Sequence, residues 1–368
     1  MTLPLSAPSR REDGQISEAL IDLKYHGDQD LRPGLIDLAV NVRHAPRPAW
    51  LDTALQAALD EVADYPDPAP ARRVVAARHR RADGEVLLTA GAAEAFVLLA
   101  RALRPRHAVV IHPQFTEPEA ALRAAGHQVE RVVLAPPFTL DPALVPETAD
   151  LVFIGNPTNP TSVLHPRKVI ESLLRPGRLV VVDEAFADSV PGEPESLAER
   201  EDLSGVVVVR SLTKTWGLAG LRCGYLLASA QVIDELANAQ PLWSVNTLAL
   251  AATIACSSEA AVTEAQQWAH GLAADRRFLL QELAPLIALG VQVVPNAATS
   301  FILIRVPELF SAASDNGVQE ALREKGFAVR RGDTFPGLGG EWIRVAVRDR
   351  TTTQTFVAAL QSLVGTVR

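Results

Sequence analysis

The stretch SLTKTWGLAGLRCGY, residues 211–225, brings a hydroxyl, an amine and a guanidinium into one loop. Lys214 follows the apolar run GVVVVR, where an ammonium is costly unless its charge is used or its amine is bound covalently. Arg222 suits a phosphate dianion because its planar fork binds two oxygens at once. A neighbouring cation also lowers the pKa of a lysine, which favours the nucleophilic free amine. The loop therefore predicts amine chemistry beside a phosphate, although Lys214 alone is equally typical of a solvated loop lysine.

Three other segments place polar groups at the ends of apolar runs. LLTAGAAEAF passes through Gly91 into an amphipathic helix whose free N–H groups and positive dipole end can seat a phosphate, although such turns are more often connectors. Asp183 ends RLVVVD, where a carboxylate is bound to a ligand cation, or serves as a structural ion pair or helix cap. Asn156 opens an Asn-Pro turn in IGNPTNPTS that presents its amide or only shapes the loop.

The elements that must position these groups alternate with helix-length stretches. Short β-branched runs that are apolar at nearly every position predict an α/β fold, a three-layer α/β/α arrangement around a mainly parallel sheet. In such sheets ligands gather at the carboxyl ends of the strands, so the polar groups above are expected to meet there. The runs are residues 85–90, 107–112, 128–134, 151–155, 178–185, 205–211 and 223–228.

The pattern changes from about residue 229, where long helical stretches cover residues 229–240 and 247–290. Two strands, in TSFILIRV and EWIRVAVR, then flank the helix NGVQEALREKG. This layout predicts a smaller α+β C-terminal domain beside the sheet. The expected division is an N-terminal arm (1–35), a large cofactor-binding domain (36–255) and a small domain (256–368).

Composition and charge exclude several classes of function. The chain has 368 residues, 48% of them hydrophobic, so it can bury a large core. A net charge of −8 opposes nucleic acid or an acidic membrane as the main partner. Two cysteines form neither a disulfide framework nor a zinc site, so we expect a cytoplasmic protein without a metal. We also expect no signal peptide, and no run approaches the roughly 18–20 apolar residues of a membrane span.

One common cofactor needs a phosphate cradle, a lysine and a buried carboxylate together. Pyridoxal 5'-phosphate has an aldehyde that condenses with lysine, a pyridine nitrogen whose proton an acid holds, and a phosphate handle. A nucleotide-dependent oxidoreductase is the first alternative, but the chain lacks G-x-G-x-x-G and an acidic ribose partner. A non-catalytic ligand-binding module is the second, but it would not need Lys214, Asp183 and Arg222 together.

On these residues the chain resembles the fold-type I pyridoxal-phosphate enzymes, the class I/II aminotransferases, from about residue 26 to residue 348. It is most similar to the branch of histidinol-phosphate aminotransferase and the cobalamin-pathway threonine-phosphate decarboxylase. The resemblance implies an aspartate-aminotransferase-like fold and a Lys214 aldimine with the cofactor. The other cofactor-binding residues that it implies are Ser211 and Arg222 at the phosphate with Gly91, Ala92, Ala93 and Glu94, Asp183 at the pyridine nitrogen, Asn156 at the ring oxygen and Phe115 stacked on the ring.

The resemblance also implies a partner subunit and a substrate. Tyr65, in YPDP, matches a tyrosine that reaches the neighbour's cofactor phosphate in a homodimer, although a surface tyrosine in a proline-rich turn is the alternative. Arg344 matches the arginine that grips a substrate carboxylate or the corresponding end of a substrate without one. Arg330 matches a residue that helps to bind a substrate phosphate. Asn41 and His26 are the remaining substrate-binding candidates.

Two departures from the family pattern bear on the reaction. Position 186 is Phe, where histidinol-phosphate aminotransferases usually have a tyrosine that donates to the ring oxygen. With YHGD (25–28) and RVAVR, this favours the cobalamin-pathway branch. Arg43 stands where the family normally has a second Asn before Pro; it either binds an extra anion or points outward. We therefore expect a threonine-phosphate decarboxylase-like enzyme for a small phosphorylated amine or amino acid, with histidinol-phosphate transamination as the alternative.

Overall fold

Two β-sheets frame the molecule in a computed structural model, which describes residues 22–44, 46–307 and 317–365. The strands are β1 (Ile36–Leu38), β2 (Val86–Ala90), β3 (Ala108–His112), β4 (Val129–Val133), β5 (Leu151–Gly155), β6 (Leu179–Asp183), β7 (Val206–Ser211), β8 (Cys223–Leu227), β9 (Gln292–Val293), β10 (Phe301–Arg305), β11 (Phe327–Arg331) and β12 (Trp342–Ala346). The helices are α1 (Ala49–Ala58), α2 (Ala69–Arg78), α3 (Gly91–Ala102), α4 (Glu117–Ala124), α5 (Arg167–Glu171), α6 (Thr213–Trp216), α7 (Ala230–Ala239), α8 (Thr247–Cys256), α9 (Glu259–Ile287), α10 (Gly317–Glu324) and α11 (Arg350–Gly365).

The larger sheet has seven strands in the order β2-β8-β7-β6-β5-β3-β4. Its strands pair in parallel except for β8, which runs antiparallel to β2 and β7. β7 is buried at every position because helices cover both faces of the sheet. Leu51 of α1 and Val75 of α2 pack on one face, and Phe96 of α3 and Ile233 of α7 pack on the other. The three-layer α/β arrangement predicted from the sequence is confirmed.

The smaller sheet has five strands in the order β1-β11-β12-β10-β9. Its apolar core joins Leu283 of α9, Leu322 of α10 and Phe356 of α11. β1 pairs in parallel with β11, with Ile36 opposite Phe327. The strand that opens the predicted large domain thus belongs to the smaller sheet. The division of the chain into an arm and two domains stays a proposal, and in it β1 goes with the small domain.

Other local differences from the sequence pattern have simple causes. The helical stretch beyond residue 247 breaks after α8, because Ser258 caps α9 by accepting from the backbone N–H of Ala261 at 3.3 Å. β1, β9 and β11 were not expected, since none of them has a long apolar run. Residues 1–21 of the predicted arm lie outside the described residues, and residues 27–30 form a single 3₁₀ turn.

The described residues also limit what the molecule can bind or span. Within them, no helix has the length and apolar character needed to cross a membrane. The same residues contain no group of three His, Cys, Asp or Glu side chains that could hold a metal ion. Cys223 and Cys256 are both buried, unlinked thiols.

Candidate active site

A cleft opens at the carboxyl edge of the larger sheet. β5, β6 and β7 end together there, because Gly155 pairs with Asp183 and Asp183 with Val209. The open space within the cleft, counted together with the solvent at its mouth, is about 500 Å³. The predicted cofactor residues that line it are Ala92, Ala93, Phe115, Asp183, Ser211, Lys214 and Arg222.

Lys214 lies in the short helix α6 and lines this cleft. Burial lowers the pKa of its ammonium to about 8, and the charges of Arg344 and Arg222 act in the same direction against Asp183. The amine is therefore far more often unprotonated near neutral pH than an ordinary lysine. An amine with this pKa can act as a nucleophile and can carry a proton.

Asp183 lies half-buried at the end of β6. Its Oδ1 accepts from the backbone N–H of Ala185 at 3.0 Å. Burial raises the pKa of the carboxyl to about 6, although the Ala185 N–H and the Lys214 charge oppose this. No Lys, Arg or His of the described residues forms a salt bridge with Asp183, which argues against the alternative of a structural ion pair. A ligand cation, such as a protonated ring nitrogen, would hold this carboxylate ionised.

The turn between β2 and α3 forms a cradle with Arg222. Gly91 has a φ of +76°, and a Cβ at this position would lie 2.8 Å from Nη2 of Arg222. Thr213 lines the same cleft, and its buried Oγ1 has no hydrogen-bond partner among the described residues. A guanidinium, an unpartnered hydroxyl and the N-terminal N–H groups of α3 together suit a phosphate. Thr213 was not predicted from the sequence, although its hydroxyl next to Lys214 was a signal that could have indicated it.

Glu94 has a different place from the other residues of this turn. Its carboxylate accepts a hydrogen bond from the backbone N–H of Ala90, at the start of α3. This contact stabilises the turn, and Glu94 does not line the cleft. The carboxylate of Glu94 therefore stabilises the start of the helix and does not face a bound phosphate, which it would repel, and a phosphate contact from the backbone of Glu94 stays a prediction.

The structure does not bring Asn156 to the cleft. Its Nδ2 donates to the carbonyls of His165 at 3.2 Å and Glu195 at 3.3 Å, and its Oδ1 accepts from the His165 N–H at 2.8 Å. These bonds hold the amide within the loop that follows β5. The amide that lines the cleft belongs to Asn159, the second asparagine of NPTNP. Asn159, and not Asn156, is therefore the asparagine at the cleft, and a contact of its amide to the ring oxygen is a proposal.

Arg344 of β12 is buried and has no acidic partner within salt-bridge distance among the described residues. It donates to Oδ1 of Asn159 and to the carbonyl of Ala39. Asn41, with its amide oxygen turned to the guanidinium, accepts from Nε at 3.0 Å and Nη1 at 3.1 Å. A buried guanidinium that is held by neutral oxygens retains its charge for an incoming anion. The structure thus brings together Arg344 and Asn41, two of the predicted substrate residues.

Arg330 and His26 come together through the segment at residues 25–30. Nη2 of Arg330 donates to the carbonyl of Tyr25 at 2.8 Å. Its Nη1 lies 3.8 Å from Oδ2 of Asp30 and makes no hydrogen bond to any described residue. The ring of His26 lies 5.4 Å from that of Phe115, which lines the cleft. Arg330 thus keeps one buried donor for an anion, but neither Arg330 nor His26 lines the cleft, and His26 only touches Phe115 in the cleft wall.

Neither Tyr65 nor Arg43 lines the cleft. Tyr65 is 76% exposed and stacks on Trp243 with ring centres 4.2 Å apart. The guanidinium of Arg43 lies 5.9 Å from the ring centre of Trp216 and 5.7 Å from that of Trp268. Arg43 therefore packs against two indoles and lies near a carboxylate of the protein itself, with its Nη1 3.7 Å from Oε1 of Glu264, so it neither faces the cleft nor points out into solvent.

The side chains that line the cleft fit pyridoxal phosphate in their chemistry. Ser211, Thr213, Arg222 and the start of α3 would hold its phosphate, and Asp183 its pyridine nitrogen. Lys214 would hold its aldehyde carbon. Phe186 lines the cleft without a hydroxyl, so no donor reaches the ring oxygen from that position. When bound, the cofactor supplies the electron sink that weakens bonds at the amino carbon of a substrate.

The chain is similar to known proteins over most of its length. Residues 33–360 match the family model for aminotransferase class I and II. The chain is 51% identical over 328 residues to histidinol-phosphate aminotransferase of Mycobacterium tuberculosis, covering 88% of this chain and 87% of that one. It is 29% identical over 363 residues to threonine-phosphate decarboxylase of Salmonella typhimurium, covering 95% and 96%.

A solved structure shows the same fold. The aspartate aminotransferase of Thermus thermophilus matches with a TM-score of 0.79 at 23% identity, covering 90% of this chain and 92% of that chain. The match confirms the aspartate-aminotransferase-like architecture predicted from the sequence. With a family model that spans most of its length, the chain belongs to the class I and II aminotransferases and is a pyridoxal-phosphate-dependent enzyme.

Proposed function

We propose that the protein transfers the amino group of histidinol phosphate to 2-oxoglutarate. The observation that carries this proposal is the 51% identity to a relative named histidinol-phosphate aminotransferase. The relative named threonine-phosphate decarboxylase is only 29% identical. Transamination of histidinol phosphate, the alternative in the sequence-based expectation, is therefore preferred here to decarboxylation of threonine phosphate. Phe186 reports on one contact to the cofactor ring, and a single missing hydroxyl says little about the substrate.

The charges around the cleft support an anionic substrate. Arg344 and Arg330 are both buried, and neither makes a close hydrogen-bonded ion pair with a described carboxylate. Histidinol phosphate carries a phosphate and 2-oxoglutarate carries two carboxylates, so each presents an anion to these guanidiniums. Arg344, held by Asn41 and Asn159, is oriented to receive it. A buried, oriented guanidinium gains more from such an anion than a solvated one does.

Lys214 is the residue that moves protons. Its Nζ, with a pKa of about 8, can take the proton from the amino-bearing carbon of the substrate, and with the cofactor bound it would deliver that proton to the former aldehyde carbon of the cofactor. Asp183 would hold the proton of the ring nitrogen. Phe115 and Phe186 wall the cleft, which limits the access of water to the reacting carbon.

The direct test mixes the holoenzyme with histidinol phosphate and 2-oxoglutarate and measures glutamate. We expect turnover, and we expect unphosphorylated histidinol to react at least about 100-fold less well by kcat/KM, the size of a lost charge-assisted contact. Arg330→Ala should reduce kcat/KM for histidinol phosphate much more than for histidinol. Absence of glutamate from a yellow, cofactor-loaded protein would reject the substrate while leaving the cofactor assignment intact.

A second candidate is decarboxylation of threonine phosphate, which is supported by the relative named threonine-phosphate decarboxylase that matches 95% of this chain. Its readout is carbon dioxide released from threonine phosphate without a keto-acid acceptor. Both reactions use the same cleft, and the bond that breaks depends on which group the anchored substrate turns perpendicular to the cofactor. Gas release with no glutamate formation would establish this reaction in place of transamination.

We further propose that the protein is a homodimer whose Tyr65 reaches the neighbouring site. Tyr65 lies in an apolar patch with Leu242, 79% exposed, and Trp243, 54% exposed. Large exposed apolar side chains that lie together mark surfaces that bind a partner. A second copy would cover them and bring the Tyr65 hydroxyl to its phosphate cradle. A cytoplasmic location remains a prediction.

A further inference from the structure

A buried ionic cluster lies next to two residues of the cofactor site in sequence. Nη1 of Arg210 is 2.9 Å from Oε2 of Glu184 and 2.6 Å from Oε2 of Glu193. Nη2 of Arg210 binds Oδ1 of Asp188, which also lies 3.2 Å from Nη2 of Arg78. The side chains of Arg210 and Glu184 are 2% and 0% exposed. Burying charged side chains is costly, and apolar side chains of similar volume often stabilise a protein equally well. A contribution to stability therefore does not explain by itself why the chain has this cluster.

The position of the cluster points to another role. Glu184 directly follows Asp183, and Arg210 directly precedes Ser211. Side chains alternate between the faces of a sheet, so Asp183 and Ser211 line the cleft while Glu184 and Arg210 pair on the opposite side. A backbone hydrogen bond also joins the two strand ends, because the N–H of Glu184 donates to the carbonyl of Val209 at 2.8 Å.

Both carboxylate oxygens of Glu184 accept hydrogen bonds. Oε2 accepts from Arg210 and from the hydroxyl of Ser196 at 2.6 Å, and Oε1 accepts from the N–H of Leu197 at 2.6 Å. A glutamine has only one oxygen, so its NH₂ group would face either Arg210 and Ser196 or the Leu197 N–H. Replacing Glu184 would therefore loosen the connection between the ends of β6 and β7.

We propose that Glu184 is a positioning residue: its pairing with Arg210 across the ends of β6 and β7 fixes Asp183 relative to the turn from Ser211 to Lys214. The pair thereby fixes the spacing between the group that holds the ring nitrogen and the groups that hold the phosphate and the aldehyde. This inference concerns the cofactor site and is independent of the substrate.

The test compares two Glu→Gln variants, each at a carboxylate that contacts the guanidinium of Arg210. Glu184→Gln and Glu193→Gln each remove one carboxylate charge from Arg210, but only Glu184 adjoins a cofactor residue. For each holoenzyme we would measure the dissociation constant of pyridoxal phosphate and the pH midpoint of the cofactor's absorbance. Urea unfolding of each apoprotein gives the structural effect separately.

We expect Glu184→Gln to weaken cofactor binding about 10- to 100-fold, a range typical of lost support for a binding residue. We also expect it to move the absorbance midpoint by about half a pH unit or more, since the surroundings of Lys214 change. Glu193→Gln should leave both quantities unchanged, whatever it does to unfolding. Equal effects of the two variants, or a wild-type affinity in Glu184→Gln, would overturn the proposal.

A second variant serves if Glu184→Gln does not fold. Arg210→Lys keeps the buried charge, but a single ammonium cannot hold Glu184, Asp188 and Glu193 in the same geometry. It should show the same loss of affinity and the same spectral shift. Wild-type values for both in a folded Arg210→Lys protein would equally overturn the proposal.

Discussion

At the scale of single residues, burial disfavours the charged forms of both Asp183 and Lys214. It raises the pKa of the carboxyl to about 6 and lowers that of the ammonium to about 8. Both groups sit in one cleft, where a cofactor would offer a cationic nitrogen to the first and an aldehyde to the second. Without the cofactor, the charged forms of Asp183 and Lys214 are therefore less favourable than they would be in water. A bound cofactor would offset both costs, by pairing with the carboxylate and by binding the amine covalently.

The pH dependence of stability follows from the direction of the Asp183 shift. Because the folded-state pKa of about 6 lies above the ordinary value of 3.8, ionisation destabilises the folded apoprotein above pH 6 and not below pH 3.8. Asp183→Asn should therefore raise the free energy of unfolding by about 1–2 kcal/mol at pH 7, less than the full shift implies because solvent reaches the site. The gain should shrink as the pH falls towards 4.

Urea unfolding of the two apoproteins at several pH values checks this expectation. The same substitution should abolish tight cofactor binding, which serves as its functional control. An Asn variant that is less stable than the parent at pH 7 would contradict the assignment of Asp183 as an electrostatically unfavourable group.

The sequence predicts which site residues lie at the ends of strands, but it does not show in which direction a loop side chain points. Lys214 and Asp183 end apolar runs, so their place at the strand ends followed from pattern alone. Asn156 and Asn159 both precede prolines in NPTNP, and only the folded loop shows that one amide binds His165 while the other faces the cleft. The pairing of Glu184 with Arg210 joins two strands and leaves no mark in either local sequence.

At the scale of elements, the β2–α3 turn shows how backbone shape and ligand binding share one residue. Two features require a glycine at position 91. Its φ is +76°, and the guanidinium of Arg222 lies where a Cβ would be. Arg43 connects two elements, because its guanidinium contacts both Trp216 of α6 and Trp268 of α9. The sequence could not place Arg43, since the two indoles are far apart along the chain.

Gly91→Ala tests the turn, with Gly177→Ala as its matched control. Gly177 has a φ of +78° and nothing within 4 Å of the added Cβ, so it reports the backbone cost alone. Both variants should lose about 1–2 kcal/mol of unfolding free energy. Only Gly91→Ala should also weaken cofactor binding, by about tenfold or more, because its Cβ displaces Arg222 from the phosphate.

Absorbance titration of each apoprotein with pyridoxal phosphate measures the affinity. Parallel urea unfolding separates the backbone effect from the effect on the ligand. The same affinity in both glycine variants would mean that Arg222 does not need its place over the turn.

At the scale of the whole molecule, the apolar patch around Tyr65 predicts the assembly. Tyr65→Phe keeps the ring that stacks on Trp243 and removes only the hydroxyl. Both proteins should sediment as dimers, and the variant should bind pyridoxal phosphate about tenfold more weakly, the value of one hydrogen bond to a charged group.

Sedimentation velocity and cofactor titration provide the two readouts. A monomeric parent, or a dimeric variant with unchanged cofactor affinity, would count against a shared site. This part of the proposal came from family resemblance and an exposed side chain, since a partner surface has no periodic signature in the sequence.

The strand β1 has a consequence for biosynthesis. Its partner is β11, so about 290 residues separate Ile36 from Phe327. During synthesis on the ribosome, β1 is made long before β11 and stays unpaired until β11 has also been made. The edge of the smaller sheet therefore closes late, and fragments that lack either end cannot complete it.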